Sequence, residues 1–320
     1  MRLFNKEQVF ILFTERTIRY LTWSGRKLSQ SADYGEFILD SLIMEDGRIV
    51  NQDLLTSMLN KLIEQKMWKR SNLSFIVPDN FVTMRQESIP KQITAEEISD
   101  YIKLHMEGNI RLPFKDPYLD YHLLDEDEET KKIILFAYPR ERLKPFAELF
   151  TDAGLQAQVA DISFLSTYRA YAKEKLATPN EHLLMLQWNK YDLTMTVFHQ
   201  QKPMFSRHVY FSNAPQAWQK NEESKALEWH SNLMSLPEFI EEQLISIERF
   251  IDFYRYSVIN DEGQVDQMLI TGDFPNQTLV QQQIPERFGL PLKKLTLPND
   301  LPIEFASLYG LGLRGERFEE

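Results

Sequence analysis

"QVFILFTERTIRYLTW", residues 8–23, holds two runs rich in β-branched and aromatic side chains with only Glu15 and Arg16 between them. Such runs with so short a break predict two strands that turn back on each other. "ADYGEFIL" (32–39) extends the pair to three antiparallel strands. The period then changes. In "NQDLLTSMLNKLIEQKMW" (51–68), Leu54, Leu55, Met58, Leu59, Leu62 and Ile63 recur at helical spacing behind Asn51, a candidate cap. "NLSFIVP" (72–78) returns to a strand that stops at Pro78, so the opening unit reads βββαβ.

Working outward, "FVTMRQESIP" (81–90) predicts a strand and "TAEEISDYIKLHMEGNI" (94–110) a helix, with Thr94 and Glu97 in capping-box spacing. "YLDYHLL" and "KKIILFAYP" flank the acidic "DEDEETK" (125–131), a solvated hairpin tip. "RERLKPFAELFTDAG" (140–154) is a helix closed by Gly154, and "LQAQVADI" (155–162) a strand. The block 81–158 therefore has its own βαββα character, that of a subdomain inserted in a first lobe spanning 1–176. After the linker-like "LATPN" (176–180) the opening grammar returns in a second lobe, 177–320. "HLLMLQW", "YDLTMTVFH" and "KPMFSRHVYF" are three strands; 211–235 reads as polar and irregular; an amphipathic helix covers 237–257. "QMLITG", a helix, the extended "PLKKLTL" and a closing helix in "PIEFASLYGLGLR" complete it. Both halves follow strand, strand, strand, helix, strand, helix, which predicts an internal repeat.

Composition narrows the function classes. A chain of 320 residues is long enough for two lobes with their own cores. No apolar run approaches the roughly 20 residues that a spanning helix needs. The polar, charge-broken N-terminus lacks a secretory pattern, so a cytoplasmic location is expected. There is no cysteine, which excludes disulfides, thiolate nucleophiles and cysteine-ligated metals. A net charge of -11 without a basic run argues against direct nucleic-acid binding. The six histidines, at 105, 122, 182, 199, 208 and 230, include no helical i, i+4 pair of the zinc type, and no Gly-Xaa-Ser-Xaa-Gly elbow surrounds Ser166 or Ser206. Glu241, Glu242, Glu248 and Asp252 read as a solvated helix face and not as an acid/base pair. The terminal "GLGLRGERFEE" offers no amphipathic membrane helix.

Two βββαβα lobes, one with an insertion, are the plan of the α/β, RNase H-like, actin-like ATPase superfamily, and several segments carry a closer likeness. "FVTMRQESIPKQITAEEISDYIKLHMEGNIRLPFKDPYLDYHLL" is similar to a family pattern of arginine-containing strand, Ile-Pro, acidic helix, Pro-Phe step and Asp-Tyr strand. "LIMEDGRIVNQDLL", "LKPFAELFTDAGLQAQVADISFLSTYRAY", "PMFSRHV", "EEQLISIERFIDFYRYS" and "FASLYGLGLR" fit as well. The chain resembles the PilM family of type IV pilus assembly, related to the division protein FtsA, over nearly its whole length.

The resemblance implies where a nucleotide would sit. Phosphate-binding hairpins use glycines, because backbone N–H groups must approach the phosphates closely, and an aspartate that holds hydrated magnesium. Laid on "FILFTERTIR" (10–19), the first hairpin's pattern puts Phe10 and Thr14 at glycine positions and Leu12 at the aspartate; only Ile18 and Arg19 keep its tail. In the second hairpin, Asp-Ile-Gly falls on Gln187, Trp188 and Asn189, with Asp192 nearby but out of place. At the adenosine turn in "LITGDFPNQ" (269–277) the glycine run is reduced to Gly272, and Phe274 stands where backbone should be bare. Leu12 reads as a core residue. The relic cleft positions are thus Leu12, Thr14, Gln187, Asn189, Gly272 and Phe274, and the expectation is a non-enzymatic scaffold without catalytic residues, metal or cofactor.

What the resemblance implies about partners is a groove beside the inserted subdomain. It would capture the cytoplasmic N-terminal tail of a single-pass, PilN-like membrane protein, with 81–88 and the following helix as one wall, and dock the chain on the pilus assembly platform at the inner face of the membrane. Self-association is compatible with it, and a pilus, a secretion pseudopilus and a DNA-uptake apparatus all fit. The alternatives are a working ATPase that binds ATP and magnesium through replacement side chains, and an FtsA-like filament-forming membrane tether.

Overall fold

A computed structural model describes residues 7–23, 32–105, 108, 110–232, 234–275 and 277–314. The polar terminal stretch 315–320 and residues 106, 107 and 109 of the helix expected over 94–110 lie outside them. The chain divides into two compact units, one made of residues up to Asn80 together with those from Phe150 onward, the other Phe81–Leu149.

Along the chain come β1 (Gln8–Phe13), β2 (Thr17–Trp23), β3 (Asp33–Ile38), a small hairpin of β4 (Met44–Glu45) and β5 (Arg48–Ile49), α1 (Gln52–Lys66) and β6 (Asn72–Ile76). The Asn51 side chain caps α1 by accepting from the Leu54 N–H at 3.1 Å, satisfying one of the helix's unpaired donors. The smaller unit supplies β7 (Thr83–Pro90), α2 (Ile98–His105), β8 (Pro117–Glu126) and β9 (Thr130–Pro139); α3 (Arg140–Asp152) carries the chain across the 149/150 boundary. Then follow β10 (Gln156–Asp161) and α4 (Ser163–Lys173).

The second half opens with β11 (His182–Trp188), β12 (Asp192–His199) and β13 (Lys202–Tyr210). The segment 211–235 is not irregular. It holds α5 (Ala214–Ala217) and a hairpin of β14 (Trp218–Lys220) and β15 (Leu227–Trp229), fixed by Trp218 and Trp229 with ring centroids 5.3 Å apart. α6 (Leu236–Phe253) starts at a capping box of Ser235 and Glu238 and gives way to a π-helical turn, Tyr254–Val258, so the α-helix ends before the expected 257. β16 (Gln267–Thr271), α7 (Gln277–Phe288), β17 (Leu292–Lys293) and α8 (Ala306–Gly312) finish the chain.

Two five-stranded sheets bear out the internal repeat. Their orders are β3-β2-β1-β6-β10 and β13-β12-β11-β16-β17. In each, three antiparallel strands are followed by two that run parallel to the first. β10 pairs with β6 in the first sheet, so it is a strand of that sheet and the insertion ends at Leu149, not at 158. α8, second-lobe by sequence order, packs on the first half, with Gly310 against Ser166 of α4 and Gly312 against Trp23 of β2. The smaller unit is a sheet of order β7-β9-β8, with Ile98 and Ile102 of α2 packed into a core with Ile89, Ile133 and Leu135. No helix among the described residues is long and apolar enough to cross a membrane.

Candidate functional site

In the larger unit the turn after β1, the β11–β12 turn and the joint after β16 converge on a cavity of about 80 Å³. Leu12, Thr14, Gln187, Asn189 and Gly272 all line it; Phe274 does not. Leu12 is only part-buried: alternation puts it on the same face of β1 as Phe10, which packs on Trp23 at 4.5 Å, but nearer the strand's end, where that face opens on the cavity. The core assignment for Leu12 therefore fails. Phe274, instead of covering the turn, drops beneath it: its ring lies 5.4 Å from Trp188, 6.0 Å from Trp218 and 6.1 Å from Phe239.

Backbone donors at these turns are already used. Thr14 N–H donates to the Thr17 carbonyl at 2.9 Å, and Asn189 N–H to the Asp192 carbonyl at 2.9 Å. Lys190 N–H reaches Asp273 Oδ1 at 3.0 Å, Asp273 N–H reaches Asn189 Oδ1 at 3.2 Å, and Phe274 N–H reaches the Trp188 carbonyl at 3.1 Å. The β16–α7 joint is thus docked on the β11–β12 turn. Gly272 is required by that docking: its φ is +102°, and a Cβ would stand 2.3 Å from the Trp188 carbonyl oxygen. A glycine that looked like the remnant of a ligand turn is needed for chain-on-chain contact.

Gln187 is equally committed. Its Oε1 accepts from Ser163 Oγ at 2.9 Å and its Nε2 donates to Thr167 Oγ1 at 3.1 Å, tying β11 to the first turn of α4. Ser163 Oγ also contacts the Asp79 carboxylate, which accepts the Ser163 N–H at 3.3 Å and the Thr194 hydroxyl at 3.3 Å. One hydroxyl proton cannot serve both Gln187 Oε1 and Asp79, so the network closes best with the proton on Asp79. Burial agrees. It raises the Asp79 carboxyl from 3.8 to about 6, against hydrogen bonds from Ser163 and the charge of His208, with Asp192 adding to the rise.

The remaining charges make the cavity acidic. Glu15, 5% exposed, is pushed well above its ordinary value by burial and then by Asp192. His208 stands 3.8 Å from Asp192; burial opposes its protonation, but Asp192 and then Asp79 outweigh that and raise it. Arg19 is spoken for: it reaches Glu36 at 2.9 Å, Asp273 at 3.0 Å and the Glu304 carbonyl at 3.3 Å. Burial alone would raise the Asp273 carboxyl, but Lys190 and Arg19 hold it well below the usual range. Thr14 Oγ1, Asn80 Oδ1 and Thr271 Oγ1 are cavity-lining polar atoms without a hydrogen-bond partner among the described residues. The volume has room for several waters at roughly 10–15 Å³ each. Among the described residues no group of three or more His, Cys, Asp or Glu is placed to hold a metal.

Asp79, Glu15, Ser163 and Asp273 escaped the sequence reading. Asp79 had one usable signal, a carboxylate just past the Pro78 that ends a strand. Nothing in sequence links Asp273 to Arg19, 254 positions away.

A sequence profile described as type IV pilus assembly protein PilM matches residues 25–296. The chain belongs to the PilM family. Among solved structures this PilM-family chain is similar to a PilM-PilN type IV pilus biogenesis complex, at 14% identity and a TM-score of 0.72, covering 97% of this chain and 98% of that one. It is similar to the ethanolamine utilization protein EutJ from Carboxydothermus hydrogenoformans (10% identity, TM-score 0.54, 97% and 90% covered). It is also similar to the cytoplasmic domain of EpsL, an inner membrane component of the type II secretion system of Vibrio cholerae (12%, 0.51, 97% and 96%). At these identities the structural likenesses speak for the fold alone, the actin-like ATPase fold. No curated protein sequence matches the chain.

Proposed function

We propose that this PilM-family chain is a non-catalytic scaffold of a pilus assembly platform on the cytoplasmic face of the membrane, holding the N-terminal tail of a PilN-like partner. The observation that carries the non-catalytic part is the commitment of the cleft to itself. The N–H groups of Lys190, Asp273 and Phe274 bond protein acceptors, Arg19 and Lys190 are neutralised by Asp273, and the small cavity is lined by carboxyls. A triphosphate entering there would meet the carboxyls of Glu15, Asp79 and Asp192, while Arg19 and His208, among the described lining residues, already face carboxylates. Support for the partner comes from family membership and from the fold shared with the protein of the PilM-PilN complex. In the smaller unit β7 pairs, among the described strands, with β9 alone, an edge on which an extended tail can add a strand.

Two measurements on the full chain test this. Equilibrium binding of labelled ATP with magnesium is expected to show no saturation in the micromolar range; micromolar affinity that disappears with chelator would overturn the scaffold reading. Separately, adding the N-terminal tail peptide of a PilN-like protein is expected to slow amide exchange along 83–90. Tail binding without protection anywhere in 81–105 would remove the β7 assignment.

A further inference from the structure

We propose that the buried ion pair of Arg19 and Asp273 pins the two five-stranded sheets together and fixes the cleft in one arrangement with no ligand present. Arg19 projects from β2, in the first sheet. Asp273 sits in the joint after β16, in the second. Several other contacts bridge the halves, among them Lys220 to Asp40 at 2.8 Å, Arg16 to the Pro215 carbonyl at 3.4 Å and Thr194 to Asp79 at 3.3 Å. The ion pair among them differs in kind, while Thr194 with Asp79, like Gln187 with Ser163, bridges through hydrogen bonds. Asp40 is 77% exposed and its pair is open to water and salt, conditions under which ion pairs contribute little. The Arg19 and Asp273 side chains are 2% and 6% exposed, where attraction is screened far less and where losing one partner strands a buried charge.

The network around the pair is balanced and directional. Asp273 Oδ2 takes Arg19 at 3.0 Å and Lys190 Nζ at 3.2 Å, its Oδ1 takes the Lys190 N–H at 3.0 Å, and its carbonyl takes Lys190 Nζ at 2.8 Å. Glu36 on β3 supplies the second negative charge at 2.9 Å from Arg19, so two cations face two anions. Arg19 also donates to the Glu304 carbonyl at 3.3 Å, just ahead of α8. One guanidinium therefore joins β2, β3, the entry to α8 and the β16–α7 joint, and through Asp273 the β11–β12 turn. A ligand that bridged these turns would do the same from outside; here the chain does it with its own side chains. The pin goes beyond the scaffold reading and stands or falls separately from it, since it is measured with no nucleotide or partner present.

The test is amide hydrogen exchange on the free full chain. Arg19→Met and Asp273→Asn are each expected to raise exchange about 100-fold at 188–193 and 271–275, the scale set by uncompensating a buried charge. The sheet of residues 83–139 should be unchanged. The double variant Arg19→Met/Asp273→Asn, which strands no charge at this pair, should cost less than the product of the single effects. Lys190→Met, which keeps the pair but removes its second cation, should give a smaller rise of about 10-fold in the same segments, and serves where a single variant does not fold. Unchanged exchange, a rise spread equally over 83–139, or effects that multiply in the double variant would each overturn the proposal. ATP binding by the wild-type chain would overturn the scaffold reading and leave the pin standing.

Discussion

Gly310→Ala is expected to destabilise the protein by about 3 kcal/mol, the upper part of the range for overpacking, and to lower Tm by roughly 4–6 °C. Two effects of opposite sign compete at this position. Alanine is favoured over glycine inside a helix by about 1 kcal/mol, so on propensity alone the substitution stabilises α8. Packing decides against it. A Cβ at 310 would stand 1.7 Å from the Ser166 carbonyl oxygen and 2.5 Å from its carbon, and both atoms belong to the backbone of α4. A side chain could rotate away; a helix backbone moves only by separating α4 from α8. The Gly310 carbonyl also receives Arg169 at 2.8 Å, while Arg169 pairs with Asp161, so separation would break a part-buried network as well. Gly312 offers the internal comparison, since its Cβ would meet the Trp23 ring at 1.7 Å, a side chain with some freedom to yield. Thermal unfolding of the two alanine variants reads the difference. A Gly310→Ala protein that melts within a degree of wild type would mean that the helices do not approach this closely.

Asp79→Asn is expected to raise stability at pH 7 by about 2–3 kcal/mol while changing it little near pH 4. Burial holds the folded Asp79 at about 6 against an ordinary 3.8. A carboxyl raised on folding favours the protonated native state, so its contribution is complete below pH 3.8 and is lost as pH rises through about 6. At pH 7 the folded chain carries an ionised group in a place suited to a neutral one. Asparagine supplies that neutral group at the same shape. Its amide nitrogen can donate to Ser163 Oγ, freeing the serine proton for Gln187 Oε1. His208 loses one attraction but keeps Asp192 at 3.8 Å. Denaturant midpoints from pH 4 to 7 separate the cases: wild type should lose stability across this window and Asp79→Asn should lose less. A variant weaker than wild type at pH 7 would show that the ionised carboxylate is what the Ser163 and Thr194 bonds require.

Most of the fold could be read from periodicity, because the signals are local. Leu55, Leu59, Leu62 and Ile63 mark the buried face of α1 by spacing alone, and the twofold grammar of the halves reappears as two sheets of matching order. What escaped reading is non-local. "LQAQVADI" looks the same whether its strand joins the insertion or the sheet of β6, because register with Asn72–Ile76 leaves no mark in either segment. The 211–235 stretch read as irregular because its order rests on Trp218 packing with Trp229 and Phe274, not on any period. At the site, motif positions were legible as positions but their surroundings were not. Leu12 was taken as core since it shares a face of β1 with the buried Phe10, and alternation does not say that this end of the strand opens on a cavity. Asp79 and Asp273 carried no motif, and their roles come from Ser163, Thr194 and Arg19, brought together by the fold.

Phe274 has a consequence for how freely this sequence can change. Its ring is shared among Trp188, Trp218 and Phe239, so a glycine at 274 would not bare the turn to a base and ribose. It would open a void among three aromatic rings in the core of the second half, of the kind that costs about 3–5 kcal/mol. Any mutational path toward an exposed-backbone adenosine turn begins with a poorly folding intermediate. The residue is held in place by its neighbours whatever occupies the cleft, and drift at this joint runs in one direction.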